Sequence, residues 1–359
     1  MNNKKLIAFT AAILASFPLS AFTAEVKLYG KVQAELNIER RIAAPYPGLG
    51  IDDNAGMSRI GIRATEKLKN DITSLALIEF RIDPSDSSSG ILAQRNAYVG
   101  LKNNFGTIRI GSFHAPYKTH GGTRYAPFVA THLQARHAGG MSSGAGFGGH
   151  NGFIRNAIYY TSPKKNGFQA SFAFSPDETN ESVGNGQNAE NDWGLGIKYN
   201  DGPLEAVFAL SFNNQDDTHT QKMAKIGGKY SKGPHTISGQ IEFLAYGDTC
   251  DGGFTAGCYS SGSPPGGGSA YHIGPGEGND DGSILFLSYQ YEIGYTTLAG
   301  QIGRSNSDNT NGRNTNYFAL GVIHKFSKKT RVFGGYAKSD ASGSFIDREV
   351  ISIGMRVDF

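Results

Sequence analysis

The residues with the most chemical potential lie in one stretch, HAPYKTHGGTRYAPFVATHLQARHAGGMSSGAGFGGHNG, residues 114–152. It carries Lys118, Arg124 and Arg136, five of the chain's nine histidines (His114, His120, His132, His137 and His150), and no Asp or Glu. Metal ligands come at tight spacing, and only His132 and His137 are close here, so no metal site is expected. Histidines titrating near an unperturbed pKa of about 6.5 would instead add positive charge as pH falls. The three permanent cations suggest a second role. In a narrow, low-dielectric passage, cations without acids among them select anions. The bland alternative is that they face solvent or pair with acids elsewhere, such as Glu35, Glu79 and Asp83.

Other chemistry finds little support. The chain holds no H-E-x-x-H and no P-loop, so neither an enzyme nor a cofactor is expected. The glycine-rich SPPGGGSAYHIGPGEGNDDG has no strand-then-helix context to make a phosphate cradle, and reads as a flexible loop. Lys and Arg number 34 against 31 Asp and Glu, a formal charge of +3, which argues against a nucleic-acid partner.

The N-terminus supplies a compartment. Lys4 and Lys5 precede an apolar run over 6–17, and Ala21 to Ala24 ends on small residues. This order predicts a secretory signal peptide over 1–24, removed before Glu25. Its loss removes two lysines and leaves a net charge of +1 on the 25–359 domain. An exported chain meets an oxidising compartment, so Cys250 and Cys258 are expected to pair.

The elements that must position these residues are strands. EVKLYGKVQAELNI puts Val26, Leu28, Val32, Ala34, Leu36 and Ile38 on one face, and Lys27, Lys31, Gln33, Glu35 and Asn37 on the other. The final VISIGMRVDF alternates in the same way and stops on Phe359. Similar stretches recur at 58–64, 76–83, 91–102, 105–113, 153–162, 167–175, 191–200, 203–213, 221–231, 234–246, 283–293, 295–305, 315–327 and 329–339, making 16 strands. Short turns near 67, 102, 163, 200, 231 and 292 alternate with long polar loops at 39–56, 84–90, 114–152, 176–190, 213–220, 247–282, 306–314 and 340–347.

A soluble β-sandwich has no need of so many strands with every long loop at one end. A transmembrane barrel does: about 9–11 residues per strand, an even strand count, short turns inside and long loops outside. No apolar run long enough for a helical span lies beyond the N-terminus. Tyr199, Tyr230, Tyr291 and Phe326 sit beside short turns, where an interfacial aromatic belt belongs. The last strand must then pair with the first to close the barrel. The fold expected is an all-β, 16-stranded antiparallel transmembrane β-barrel.

KLYGKVQAELN, SRIGIRATEKL, RNAYVGL, FGTIRIGSF and the terminal MRVDF together resemble the general diffusion porins of Gram-negative bacteria, over essentially the whole mature chain. The resemblance implies a homotrimer in the outer membrane, in contact with its lipid and lipopolysaccharide. It implies that the third long loop, 114–152, folds inward as a constriction, and that Phe359 resembles a signal read by the barrel-assembly machinery. It also implies a basic ladder on the pore wall. Lys31, Arg59 and Arg95 fall on ladder positions, Arg63 and Arg155 have matching parity, and Glu79 matches an acidic wall position. The family's inward loop usually carries acids, commonly in a Pro-Glu-Phe-Gly type segment. This one has none, so a positive constriction is expected in place of a plus-to-minus field. The implied function is passive diffusion of small hydrophilic solutes and ions, with a modest anion preference. Two alternatives stay open: a channel specific for anionic solutes, and a surface interaction or adhesion protein with an incidental pore.

The cysteine reading is open to direct test. Mass spectrometry of the membrane-extracted protein should find Cys250 and Cys258 linked; two free thiols would refute the pairing.

Overall fold

The structure is a computed structural model, and it describes residues 24–41, 44–53, 58–85, 93–136, 139–142, 152–176, 191–216, 219–245, 282–307, 314–341 and 347–359. Its strands are β1 (Glu25–Arg41), β2 (Ala44–Asp52), β3 (Arg59–Lys67), β4 (Thr73–Arg81), β5 (Ala93–Asn103), β6 (Gly106–His114), β7 (Phe153–Thr161), β8 (Phe168–Ser175) and β9 (Asp192–Asp201). They continue as β10 (Leu204–Asp216), β11 (His219–Lys232), β12 (His235–Ala245), β13 (Gly282–Ile293), β14 (Thr296–Ser307), β15 (Thr315–Lys325), β16 (Thr330–Ala341) and β17 (Arg348–Asp358). One short helix, α1 (Pro116–Thr119), lies between β6 and β7.

From β3 onward each strand pairs antiparallel with the next, and β1 closes the sheet. Its Lys31–Arg41 segment pairs with β17 on one edge. On its other edge, Glu25–Lys31 pairs with β3 and Glu35–Arg41 with β2. Since β2 and β3 lie end to end along β1, the seventeen described strands fill sixteen wall positions. The expected 16-stranded closed antiparallel barrel is what forms.

One boundary differs. The 39–56 segment reads as a long loop, because APYPGLGID is rich in Pro and Gly. The structure makes Ala44–Asp52 a strand. The cause is β1, whose 17 residues run past β3 and leave an edge to be paired. Pro45 and Pro47 fall at the register break between Glu39 and Arg41, where no ladder donor is demanded of them. The gap between β2 and β3 is bridged by a side chain. The Ser58 hydroxyl accepts from the Gln33 N–H at 3.0 Å and donates to the Gln33 carbonyl at 3.2 Å.

The burial pattern is inverted relative to a water-soluble protein. Leu28, Leu36, Ile110, Ile158, Leu285, Leu320 and Ile353 are exposed on the outer face, while Gln33, Glu35, Gln240, Glu242, Gln301 and Ser352 are buried on the inner face. In water such a face would invite aggregation; in hydrocarbon it is the favoured solvent-facing surface. Phe105, Phe168, Tyr230, Tyr295, Phe326 and Phe359 are exposed beside the tight turns, where an aromatic girdle sits.

The seam ends on Phe359. Its backbone N–H donates to the Gly30 carbonyl at 3.0 Å, and its carbonyl accepts from the Gly30 N–H at 3.2 Å. Its ring lies over Gly30 so closely that a Cβ there would come within 2.3 Å of Cζ. Deleting Phe359 removes both hydrogen bonds and this cover. The deletion is expected to reduce inserted barrel and leave unfolded chain in the periplasm, as read by heat-modifiable gel migration. Normal insertion at ordinary expression would count against this role.

Candidate functional site: the barrel interior and its inward segment

The segment after β6 turns at once. Ala115 precedes α1, the chain reverses through Gly121 (φ 72°), and residues up to Arg136, with 139–142, lie against the inner face. The reversal needs glycine, because φ is positive there and a Cβ would meet Val207 at 3.0 Å. Gly140 approaches the wall just as closely: a Cβ on Gly303 of β14 would stand 2.3 Å from the Gly140 Cα.

Two buried carboxylates hold this segment. Glu242 on β12 accepts from the Tyr117 hydroxyl at 2.8 Å, from the Ser142 N–H at 3.1 Å and from the Ser142 hydroxyl. Its cross-strand partner is Lys225, whose Nζ sits 3.9 Å over the Tyr117 ring. On β1, Glu35 accepts from the His132 N–H at 2.9 Å and from the Ser352 hydroxyl at 2.8 Å. Between these anchors the wall donates to the segment's carbonyls. Ser238 and Ser288 reach Tyr125 at 3.0 and 2.8 Å, Gln301 reaches Leu133 at 2.7 Å, and Gln33 reaches Ala130 at 2.6 Å. Buried backbone in an irregular segment needs such partners.

Apolar packing decides which wall is covered. Tyr125, Phe128, Leu133 and Met141 form a buried cluster with Val207, Phe286, Tyr317 and Phe333 on β10, β13, β15 and β16. The basic residues are left toward β3 to β7. There Glu79 accepts from Arg95 Nε at 3.0 Å, Arg59 at 3.4 Å, Asn96 at 3.1 Å and the Tyr29 hydroxyl at 3.0 Å. Lys118 Nζ, from the segment, and Arg95 Cζ, from the wall, lie 5.0 and 5.2 Å from the centre of the same Phe153 ring. Arg136 joins them electrostatically: burial first, then Arg136, Arg95 and Arg59, push the half-buried Lys118 well below the usual lysine range. Burial and Arg95 likewise bring Arg136 down to about 10.

The expected site residues therefore divide. Lys31, Arg59, Glu79, Arg95, Lys118 and Arg136 come together on one side of the interior. Arg63 shares the inner parity but is exposed, 5.4 Å over the Tyr29 ring. Arg124 is exposed on the other side, with Lys198 and Glu205 as charged neighbours. Arg155 is exposed next to the strand irregularity at Asn156 (φ 47°), whereas Ile154 before it is buried. Cys250 and Cys258 lie outside the described residues.

The anchor Glu242 escaped sequence reading. Its one signal is an acid of inner parity in GQIEFLA, which nothing local links to Tyr117 or Ser142, 125 and 100 residues away. Arg81 was also missed; it lies 3.8 Å from Asp53 and 3.5 Å from Asp83.

The histidines differ from the expectation of titration near neutrality. Burial, with Lys198, Lys225 and Arg124 nearby, holds His120 down at about 4 although its Nδ1 is 2.9 Å from the Pro116 carbonyl. Burial would also lower His132, but the Asp52 and Glu39 carboxylates and the charge of Glu35 outweigh it and raise His132 to about 9. His132 Nε2 is 2.6 Å from Asp52, and Arg348 donates to the His132 carbonyl at 3.1 Å. His137 and His150 lie outside the described residues.

A closed barrel with an apolar outer face, a polar interior and an inward segment defines a transmembrane channel of the outer-membrane class. Residues 8–344 match the family model described as Gram-negative porin, and the chain belongs to that family. It is 27% identical over 344 residues to outer membrane porin protein 32 of Delftia acidovorans, covering 93% of this chain and 88% of that one. Among solved structures it resembles an anion-selective porin from Comamonas acidovorans (TM-score 0.73, 21% identity, 94% of this chain and 100% of that one). It also resembles the trimer form of OmpT, an outer membrane protein of Vibrio cholerae (TM-score 0.66, 16% identity, 94% and 100%). The protein is a porin of the Gram-negative outer membrane.

The His132 contact has a pH signature. Its folded-state value is raised, so its contribution is complete below about 6.5 and is lost as pH rises through about 9. Stability in detergent, followed by the unfolding temperature, should fall across that window by on the order of 3 kcal/mol, and His132→Gln should flatten the fall. An unchanged slope in the variant would refute the assignment.

Proposed function

We propose that this porin is a passive diffusion channel for small hydrophilic solutes and ions, with a modest anion preference set at a constriction between residues 115–142 and the β3 to β7 wall. The observation that carries the reading is Lys118 and Arg95 meeting at one Phe153 ring, beside Arg59 and Arg136. Glu79 offsets this charge only in part, since Arg59 and Arg95 both hold it. Cations within a Debye length of about 8 Å act on a passing ion. The anion selectivity named for the Comamonas acidovorans porin supports the same sign.

The rest of the reading is an exported chain with residues 1–24 as signal peptide, assembled through the barrel-assembly machinery with Phe359 as part of the signal. The barrels form a homotrimer in contact with outer-membrane lipid and lipopolysaccharide. The trimer form of the Vibrio cholerae protein supports that assembly.

Reversal potentials in a potassium chloride gradient test the selectivity. Wild type should favour chloride at neutral pH. Lys118→Glu should shift the potential toward potassium with little loss of folded barrel, since Lys118 is outside the strand ladder. A wild-type pore that favours potassium at neutral pH would overturn the proposal.

A further inference from the structure

We infer that the wall carries a second anion station, formed by Arg331, Arg356 and Lys31 nearer the tight-turn mouth, and that it takes small oxyanions of the phosphate or carboxylate kind. The inference rests on the anion-channel reading and deepens it.

Arg331 and Arg356 are direct cross-strand partners on β16 and β17. Both have inner parity: Phe333, Ala337 and Ser339 are buried on the Arg331 side of β16, and Ser352 on the Arg356 side of β17. On the next strand, Arg356 faces Gln33, and Lys31 faces Asp358, so Lys31 is diagonal to Arg356. Lys31 lies within electrostatic reach of Arg59, Arg356, Asp358 and Arg331.

Like charges directly opposite in an antiparallel pair are destabilising. A structural solution would surround such a pair with acids. Among the described residues, the carboxylate side chain that Arg331, Arg356 and Lys31 share is Asp358. Arg356 already engages it twice, Nε to Oδ1 at 2.6 Å and a terminal nitrogen to Oδ2 at 2.9 Å. Two guanidinium groups and an ammonium thus gather around Asp358, which Arg356 already holds. An incoming anion would complete the balance. Guanidinium forks match paired oxygens, so phosphate and carboxylate fit better than chloride.

The position also suits relay. Lys31 is the cross-strand partner of Arg59, which holds Glu79 together with Arg95 at the constriction. A permeating anion would pass from Arg95 and Arg59 to Lys31, then to Arg356 and Arg331. Several weak sites in series allow binding without trapping. The tight turn after β15 ends at Thr330, immediately before Arg331, which sets this station at the short-turn end of the barrel.

The test uses the intact porin in planar bilayers, with chloride current measured while inorganic phosphate is titrated at neutral pH. Wild type should show a saturable fall in chloride current. Arg331→Gln should raise the half-blocking phosphate concentration about tenfold, the effect of one charge-assisted hydrogen bond. Arg331→Lys, which keeps the charge and loses the fork, should raise it by a smaller factor. Heat-modifiable migration checks that each variant is folded. No saturable block in a chloride-selective wild type overturns the station and leaves the anion reading standing. An unchanged half-block in both variants also overturns it. A potassium-selective wild type fails the parent reading instead.

Discussion

Every backbone N–H and C=O in hydrocarbon must find its partner within the protein, at a cost of several kcal/mol for each that does not. The rest of this structure depends on that constraint. β1 satisfies it on both edges, against β17 on one side and β2 and β3 on the other. Its length explains why a Pro- and Gly-rich segment becomes β2. The break beside it explains the Ser58 hydroxyl, which serves both backbone groups of Gln33. Phe359 and Gly30 complete the same seam at its lower end.

Closure creates a second problem, since the interior is too wide for wall side chains alone to fill. The segment from Ala115 to Ser142 is held by hydrogen bonds from Glu35, Glu242, Gln301, Ser238 and Ser288 and by an apolar cluster against β10, β13, β15 and β16. A buried carboxylate is costly unless its lone pairs are used, and Glu242 and Glu35 each use theirs on the segment. The aromatic residues pack to one side, and Arg59 and Arg95 lie on the other.

Net charge says little about this interior. A chain that is almost neutral sorts its charges by strand parity, so that Arg59, Arg95, Lys31, Arg331 and Arg356 share one face. Glu79 and Asp358 are each shared or held by arginines there, and so temper the field without reversing it.

The sequence by itself determined the barrel, because a period of two separates lipid-facing from lumen-facing residues within each strand, and loop lengths alternate between the two ends. It also placed Lys31, Arg59 and Arg95 on the inner wall, since parity and family motif agree there. It misled at 39–56, where local turn chemistry yielded to an unpaired edge on β1. Only the tertiary structure decided which loop cations meet the wall. Lys118 and Arg136 reach Arg95 and Arg59, whereas Arg124 turns to Lys198. It also decided that His120 is held neutral and His132 charged near pH 7. A segment without regular structure carries no periodicity to read. Its course is fixed by anchors as far off in the chain as Glu242 and Glu35, and by which wall its aromatic residues cover.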